Sequence, residues 1–399
     1  MAGGFVQCPL LSSKGVKPSP VQGFSMPKFQ LAPPQRILLG PGPSEVPRRV
    51  LNAGSLPAVG YLDPSFIELM KVVQEQLREM FLTENRYTLT ITGAGTAAME
   101  CAIDNLCEPG DTVVCCVHGF FGDRMRQMYE RAKVDLHLVT APWGEPIDPE
   151  NLKKTLDSLD KVDLVSVVHG ETSTGVVQDV KTLAEVVKPS GALLLVDTVA
   201  SMGGVEFRTD EWGVDVVYTG SQKCLSAPPG LSPITFSDRA VEKIKNRKTP
   251  PKSWYLDLML NWKYWDDNPG YHHTGSIQTM YALHEALNLL QEEGLENRWA
   301  RTKETAELLY QKLENLGFKM LVAPEHRLPT LTTAILPEGV DEAPMRKKLL
   351  TQYNIEVAGG LGDLAGKAWR VGLMGHSCRK ESVHELHRVL SELLKGVTV

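Results

Sequence analysis

The central part of the chain, between residues 87 and 236, alternates short apolar runs with segments of helical periodicity. The apolar runs are rich in β-branched residues and are apolar at consecutive positions, as expected for strands that helices cover on both sheet faces. They predict strands at 87–92, 112–117, 164–169, 192–197 and 214–219. This alternation predicts an α/β fold built on a mostly parallel sheet.

Helical periodicity between these runs, and a change of pattern after about residue 283, predict two domains. Helices are expected at 96–106, 123–132, 149–158 and 180–187, and longer amphipathic ones at 299–316, 342–353 and 380–394. Strand and turn segments separate the longer helices at 330–336 and 356–372. We therefore expect a large domain over 31–293, a smaller α+β domain over 294–399 and a flexible extension over 1–30.

Charge and composition exclude several classes of partner. The 42 basic and 48 acidic residues give a net charge of −6, which supplies no positive field for nucleic-acid phosphates. No apolar run approaches the roughly 20 residues that a membrane-spanning helix needs. The seven cysteines have neither the density of a disulfide framework nor the spacing of a zinc site, so a reducing compartment is expected.

The first 44 residues differ from the rest of the chain because they contain no acidic residue. Lys14, Lys17, Lys28 and Arg36 lie there among Ser, Gly and Pro, a composition similar to an organelle-targeting leader. Pro18 would interrupt the amphipathic helix of such a leader, so a flexible arm is the alternative. The expected location is mitochondrial or peroxisomal, with the cytosol as the alternative.

Two charged residues at predicted strand ends carry the first chemical hypothesis. Asp197 ends one strand and Lys223 follows the next, in the crevice where open α/β sheets bind ligands. This pair suits pyridoxal 5′-phosphate (PLP), since a lysine forms its Schiff base and an aspartate keeps its ring nitrogen protonated. Taken singly, the aspartate could cap a helix and the lysine could be a solvated surface group.

Three further loops after predicted strands carry compatible residues. The turn at 93–95 could bring backbone N–H groups and the Thr96 hydroxyl to a phosphate, or could be a tight packing turn. Phe121 could lie flat on a planar ring or belong to the core. Thr172 and Ser173 would add hydroxyl groups to the same crevice.

Motifs along most of the chain resemble the class V aminotransferases of fold type I, and within them the alanine–glyoxylate or serine–pyruvate branch. These motifs are Leu-Leu-Gly-Pro-Gly-Pro-Ser at 38–44, Thr-Gly-Ala-Gly-Thr at 92–96, His-Gly-Glu-Thr-Ser-Thr-Gly at 169–175, Val-Asp-Thr-Val-Ala-Ser at 196–201, Gly-Ser-Gln-Lys at 220–223 and Tyr-His-His-Thr at 271–274. The resemblance implies PLP as cofactor, a large mostly parallel-sheet domain and a smaller C-terminal domain.

The resemblance also implies roles for residues around the cofactor ring. Lys223 would form the Schiff base and then move the proton at the substrate α-carbon. Asp197 would pair with the ring nitrogen, and Thr172 would approach the phenolic oxygen. Val199 and Phe121 would cover the two ring faces, the family often having tryptophan at the second position.

Other implied roles concern the cofactor phosphate and the substrate. One subunit would bind the phosphate through Ala94, Gly95, Thr96 and Gln222. Tyr271 and Thr274 would reach the phosphate of the partner subunit, which implies a homodimer with shared active sites. Arg370 would bind the substrate carboxylate through its planar fork, and Gly42 would line the substrate pocket.

These features predict transamination of alanine or serine with glyoxylate or pyruvate, through a ping-pong Schiff-base mechanism. The alternatives are a 3-hydroxykynurenine transaminase and a PLP-dependent lyase or desulfurase, the last suggested by Cys378. A catalytically inactive cofactor-binding protein is less favoured, because Asp197, Lys223 and Arg370 are all present. No metal site is expected, since the adjacent His272 and His273 diverge and have no carboxylate at helical spacing.

Overall fold

A seven-stranded sheet forms the centre of the protein. The structure is a computed structural model that describes residues 32–267 and 269–395, so the predicted extension at 1–30 lies outside the described residues. In spatial order the strands are Tyr87–Thr92, Leu231–Phe236, Val216–Tyr218, Leu193–Asp197, Leu164–Val168, Thr112–Val117 and Asp135–Thr140. Leu231–Phe236 runs antiparallel to both of its neighbours, and the other pairs are parallel. The predicted α/β class is confirmed.

Two strands of this sheet were not predicted, each for a physical reason. Asp135–Thr140 lies at the sheet edge and keeps several side chains exposed, so it lacks the continuous apolar run of its neighbours. Leu231–Phe236 is fully buried but contains Pro233, a residue that sequence patterns count against a central strand. The Pro233 carbonyl still accepts the Thr219 N–H at 2.9 Å, so this residue takes part in the sheet although it has no N–H to donate.

Helices connect the strands of the large sheet and continue beyond it. Their bounds are Arg48–Gly54, Pro64–Phe81, Gly95–Leu106, Phe120–Ala132, Pro149–Asp157, Val180–Val187, Thr209–Trp212, Asp238–Lys245, Leu258–Trp265, Ile277–Glu293, Leu295–Glu314, Glu342–Gln352 and Lys380–Leu394. Carboxylates of Asp63, Asp148 and Asp179 cap three of them by accepting backbone N–H bonds. Within the described residues, no helix combines the length and apolar character required to cross a bilayer.

A second, four-stranded antiparallel sheet lies in the C-terminal part of the chain. Its spatial order is Lys319–Met320, Leu331–Ile335, Ala368–Gly372 and Ala358–Gly359. Trp369 is fully buried in the core that this sheet shares with the helices Leu295–Glu314 and Lys380–Leu394. The domain boundaries 31–293 and 294–399 stay a prediction.

The segment after Arg36 joins this second core before it reaches the large sheet. Ile37–Leu38 pairs in parallel with Ile355–Glu356, and Leu39 is fully buried in the same core as Trp369. The Leu39 N–H donates to the Glu356 carbonyl at 2.9 Å, and the Leu39 carbonyl accepts the Gly372 N–H at 2.8 Å. These bonds fix the direction in which residues 40–44 continue.

Candidate active site

Lys223 lies in the turn that follows the strand Val216–Tyr218, at the carboxyl edge of the large sheet. Its side chain is partly buried, and its ammonium group donates a hydrogen bond to the Pro41 carbonyl. Desolvation, together with the charges of Arg370 and Arg124, lowers the pKa of Lys223 to about 8. A substantial fraction of this lysine is therefore neutral near physiological pH and able to accept a proton or attack a carbonyl.

The segment 40–44 holds the Lys223 turn in place. The Ser44 hydroxyl donates to the Lys223 carbonyl at 2.6 Å, and the Ser44 N–H donates to the Gln222 carbonyl at 2.9 Å. Gly42 has a φ of +108°, and a Cβ atom there would lie 2.7 Å from Lys223 Cδ. The backbone conformation favours glycine at this position, and any larger residue would also require the Lys223 side chain to move. Gly42, predicted to line the substrate pocket, thus lies against the reactive lysine.

Asp197 ends the strand Leu193–Asp197 and is buried in the same crevice. Its carboxylate accepts the Val199 N–H at 2.8 Å and the Tyr218 hydroxyl at 2.8 Å. Burial raises the pKa of Asp197 to about 6, and these two bonds and the nearby Lys223 charge oppose that shift. The group is suited to face a positively charged partner in the cavity, which would lower its pKa again.

The helix Gly95–Leu106 points its N-terminus at this crevice. Its N-cap, Ala94, makes no side-chain hydrogen bond, so no side chain occupies the first N–H groups of the helix, and those of Gly95 and Thr96 can face an anion. A Cβ atom on Gly95 would lie 3.0 Å from a Val199 methyl group, which explains the glycine. Thr96 adds a hydroxyl group to the same helix end, as predicted for a phosphate site.

Phe121 belongs to a helix, which is a correction to the predicted start at Asp123. The helix Phe120–Ala132 begins three residues earlier, so Phe121 lies in its first turn. One turn later Arg124 places its guanidinium carbon 4.8 Å from the centre of the Phe121 ring. It also donates to the Thr96 hydroxyl at 2.9 Å. Sequence reasoning missed Arg124, because it lay inside the predicted helix at 123–132 and the sequence did not show what that side chain would contact.

Glu171 connects the predicted ring-stacking residue with the Thr172 loop. This buried carboxylate accepts hydrogen bonds from the Phe121 and Gly122 N–H groups, at 3.0 and 3.3 Å. These N–H groups lie at a helix N-terminus, where a negative charge is stabilised. Burial raises its pKa, and the donated hydrogen bonds oppose the rise. Ser173 also donates to it, through its hydroxyl at 2.6 Å. Ser173 was expected to face the crevice with Thr172, and instead it supports Glu171.

Arg370 approaches the crevice from the strand Ala368–Gly372 of the second sheet. Its Nε donates to the Gly359 carbonyl at 2.9 Å, and its Nη1 donates to the Thr172 carbonyl at 3.3 Å. Burial lowers its pKa, and the charge of Glu171 acts in the opposite direction. Within 32–267 and 269–395 it forms no ion pair, so its remaining donors are available to a carboxylate ligand.

These elements enclose a cavity at the carboxyl edge of the sheet. Nine of the eleven predicted cofactor-binding residues line it: Ala94, Gly95, Thr96, Phe121, Thr172, Asp197, Val199, Gln222 and Lys223. Residues that were not predicted also line it: Met99, Arg124, Val168, Gly170 and Ala200. Met99 and Val168 are apolar residues inside predicted elements and could not be distinguished from core positions, whereas Gly170 and Ala200 lie within the motifs at 169–175 and 196–201.

The other two predicted residues, Tyr271 and Thr274, do not line this cavity. Both are exposed, Tyr271 to 59% of its surface, and the Tyr271 ring packs 4.9 Å from that of Tyr61. Their expected contact with a partner subunit stays a prediction.

The residues of the cavity fit PLP. Gln222 lines the cavity and can present its amide N–H₂ group to an anion, and the N-terminal N–H groups of the helix Gly95–Leu106 lie beside the Thr96 hydroxyl. This set offers donors to a phosphate, while Lys223 offers an amine of lowered pKa and Asp197 a carboxylate for a protonated ring nitrogen.

The residues weighed as metal ligands or as a reactive thiol have other surroundings in the structure. No group of His, Cys, Asp and Glu suited to hold a metal ion occurs among the described residues. The Trp254 ring stacks on His272 at 4.4 Å, and the His272 and His273 rings contact each other at 2.8 Å. Cys378 is fully buried, and burial raises its pKa, which disfavours the thiolate that a desulfurase needs.

The fold and the cavity define a PLP-binding enzyme, and comparison with known families identifies which one. Residues 38–379 match the model of the family "Aminotransferase class-V", so the chain belongs to that family. The predicted family, cofactor and enzyme class are confirmed, and the protein is a PLP-dependent aminotransferase.

Solved and curated relatives extend over nearly the whole chain. The structure of an alanine–glyoxylate aminotransferase from Nostoc sp. has a TM-score of 0.90 and 47% identity, covering 92% of this chain and 98% of that one. The alanine–glyoxylate aminotransferase of Callithrix jacchus is 40% identical over 376 residues, 92% of this chain and 91% of the relative. The (S)-ureidoglycine–glyoxylate transaminase of Bacillus subtilis (strain 168) is 37% identical over 372 residues, 89% of each chain.

Proposed function

We propose that this aminotransferase moves the amino group of a small amino acid, alanine or serine, to a small 2-oxo acid, glyoxylate or pyruvate. The donor leaves as its 2-oxo acid before the acceptor binds, in a ping-pong course. One observation carries the proposal: Lys223 and Asp197 share a cavity, and Arg370, free of ion pairs among the described residues, contacts its Thr172 edge. Relatives named for alanine and glyoxylate support the substrate pair.

The reacting part of the proposal concerns Lys223, Asp197 and the residues beside the cofactor ring. PLP, when bound, supplies a ring that accepts electrons from the substrate α-carbon. Lys223 in its neutral form takes the α-proton and returns it on the other side of the transfer, for which its lowered pKa is suited. Asp197 holds the proton of the ring nitrogen, and Phe121 and Val199 exclude water from the ring faces.

The binding part of the proposal assigns different residues to the cofactor phosphate and to the substrate carboxylate. The phosphate is bound by Ala94, Gly95, Thr96 and Gln222, while the Thr172 hydroxyl approaches the phenolic oxygen. Arg370 binds the substrate carboxylate through two parallel N–H donors. Because Arg370 is the cation at the Thr172 edge of the cavity, we expect monocarboxylic substrates to be preferred over aspartate and glutamate. Gly42 keeps the backbone close to the substrate side of Lys223.

A spectroscopic experiment tests this function. The absorption of the purified holoenzyme should convert to that of the pyridoxamine form when alanine is added, and return when glyoxylate is added. A donor panel of alanine, serine, ureidoglycine and 3-hydroxykynurenine, with product analysis, identifies the substrate. Release of ammonia or sulfur species without any 2-oxo acid acceptor would instead indicate a lyase or desulfurase. A spectrum that no donor changes would overturn the proposal.

The proposed assembly is a homodimer in which Tyr271 and Thr274 of each subunit complete the phosphate site of the other. It is supported by the exposure of both residues away from their own cavity, and by the exposed aromatic surface of Trp254 beside them. A mixed dimer tests the assignment, since the Lys223→Ala chain and the Tyr271→Ala/Thr274→Ala chain lack different halves of a site.

In such a mixed dimer one site carries both defects and the other carries neither. Co-expression with two affinity tags should therefore restore about half of the wild-type activity per dimer. If Tyr271 and Thr274 act within their own chain, every site of the mixed dimer stays defective and no activity returns. Light scattering of the wild-type protein checks the dimer independently.

The proposed compartment is the mitochondrion or the peroxisome, with the cytosol as the alternative. The absence of acidic residues from residues 1–44 supports an organelle leader. Fusion of this segment to a fluorescent protein tests it, and diffuse fluorescence would favour the cytosol.

A further inference from the structure

Arg124 is a cation inside the cavity that the proposed function leaves without a role. Its guanidinium donates to the Thr96 hydroxyl at 2.9 Å and forms no ion pair within the described part of the chain. Arg126, on the same helix, differs, because it pairs with Asp123 at 2.6 Å and with Glu130 at 2.5 Å. An arginine that lines a cavity without a carboxylate partner is placed to receive an anionic ligand.

The position of Arg124 favours one end of the cavity. Its hydrogen bond connects it with Thr96, at the N-terminus of the helix Gly95–Leu106, whereas Arg370 contacts the Thr172 carbonyl. The Phe120 and Phe121 rings lie 5.3 and 4.8 Å from the Arg124 guanidinium carbon, so the aromatic faces fix the cation in place. Among residues 32–267 and 269–395 neither arginine has an ion pair, and they contact different elements: Arg124 contacts Thr96 at the helix N-terminus, and Arg370 contacts the Thr172 loop.

The helix end alone does not balance the charge of a phosphate monoester. The N–H groups of a helix N-terminus amount to about half a positive charge, whereas the monoester carries close to two negative charges near neutral pH. Thr96 and Gln222 add only neutral donors. A partly desolvated dianion in this cavity therefore needs a full positive charge within hydrogen-bonding reach.

We propose that Arg124 supplies that charge by binding the cofactor phosphate, an inference that rests on the proposed position of PLP. Arg124 also orients Thr96. Since the guanidinium donates to the Thr96 oxygen, the hydroxyl proton remains free to donate to the phosphate. The charge further reaches the reacting end of the cavity, where it lowers the pKa values of Lys223 and Asp197.

Equilibrium titration of the full-length protein, stripped of cofactor, tests this inference with PLP, with pyridoxal and with inorganic phosphate as probes. Arg124→Met removes the charge and keeps an apolar stem against the Phe121 ring. We expect it to weaken PLP binding about 10- to 100-fold, the range of a charge-assisted hydrogen bond. Binding of pyridoxal, which lacks the phosphate, should change less than about 3-fold. Competition by inorganic phosphate should be lost.

Two further variants make the result specific. Arg124→Lys keeps the charge without the planar fork and should recover part of the PLP affinity. Arg126→Met, the matched control on the same helix, should leave all three affinities unchanged. Equal weakening of PLP and pyridoxal by Arg124→Met would overturn the inference, because it would indicate that Arg124 only supports the Phe121 ring; unchanged PLP affinity would overturn it too.

The outcome is separable from that of the proposed function. If wild-type enzyme converts with alanine and glyoxylate while Arg124→Met binds PLP normally, the inference fails and the function stands. If wild-type enzyme shows no conversion with any donor, the function fails whatever Arg124 does.

Discussion

The two sides of the cavity are built in different ways. On the sheet side, Asp197 is the last residue of one strand, Lys223 lies in the turn after the next, and Thr96 lies in the first turn of the helix that follows a third. On the opposite side, Pro41 and Arg370 are brought in from segments 182 and 198 residues away from the groups they contact. The first side depends on local loops of one sheet, and the second on the packing of the N-terminal segment and the second sheet against it.

This difference separates the tasks of the two sides. Residues on the sheet side are proposed to hold the cofactor and do the chemistry. Residues on the opposite side are proposed to select the substrate and to set the environment of Lys223. Changes on the sheet side should therefore abolish turnover, whereas changes on the opposite side should alter affinity, stability or pH dependence.

The largest expected effect is on the sheet side, for Lys223→Ala. Loss of the proposed base should reduce kcat by about 10²- to 10⁴-fold, the range of general base catalysis. Steady-state transamination of alanine with glyoxylate measures it, and the circular dichroism spectrum checks that the variant is folded. Turnover near the wild-type value would remove Lys223 from the mechanism.

On the opposite side, Arg370→Met should weaken the binding of the substrate rather than the binding of the cofactor. We expect kcat/KM for alanine to fall about 100-fold, mainly through KM, because a charge-assisted pair with the carboxylate is lost. The PLP affinity should stay within about 3-fold of wild type. A large loss of PLP affinity would mean that the two sides are not separate in function.

Gly42→Ala tests how closely the two sides meet. The new Cβ would lie 2.7 Å from Lys223 Cδ at a φ of +108°, so the free energy of unfolding should fall by about 1–3 kcal/mol. Thermal unfolding measures this loss. Gly60→Ala is the matched control, since nothing lies within 4 Å of its Cβ, and it should be nearly neutral. Equal effects of the two variants would exclude the close contact as the cause.

The smallest expected effect is a shift in a pH profile that depends on both sides. Capture of PLP by the cofactor-free protein needs neutral Lys223, so its rate should rise with pH and level off above about pH 8. The Arg370 charge lowers the Lys223 pKa, and Arg370→Met should therefore move the inflection upward, by less than about one unit. Stopped-flow absorbance measures the rate. A downward movement would contradict the stated sign.

The same pKa makes a statement about the stability of the cofactor-free protein. Because Lys223 binds its proton less tightly when folded, the unfolded chain holds more protons between about pH 8 and the ordinary lysine pKa. The contribution of this residue to stability therefore rises with pH across that window. It is least favourable below pH 8, where the folded protein must hold the charged ammonium away from water.

Much of the sheet side could be predicted because its features are local. Five strands were predicted within about two residues of their observed bounds, since consecutive buried apolar positions leave a clear pattern. Loops that directly follow such strands must meet at one edge of a parallel sheet, and Thr96, Asp197 and Lys223 do line one cavity. The start of the helix Phe120–Ala132 was placed too late, because Gly119 before it has no capping side chain to mark it.

The partners within the cavity could not be predicted, because they depend on contacts between distant segments. Tyr218 belongs to a buried strand and has the pattern of any core residue in the sequence. Only the assembled sheet brings its hydroxyl to Asp197 at 2.8 Å. Arg124 and Glu171 stand in sequence among residues of the same kinds that have no such role. Their hydrogen-bond partners are determined only when the helix Phe120–Ala132 packs beside the 170–175 loop.

Sequence alone thus determined the fold class, the family and the sheet-edge residues Asp197 and Lys223, because strand periodicity and short motifs act over a few neighbouring positions. Tertiary structure decided the environment of those residues: the depressed pKa of Lys223, the contact with Gly42, and two arginines of which Arg124 bonds to Thr96 and Arg370 to the Thr172 carbonyl. Desolvation and charge–charge interaction depend on distances through space, and chain folding sets those distances independently of position along the sequence.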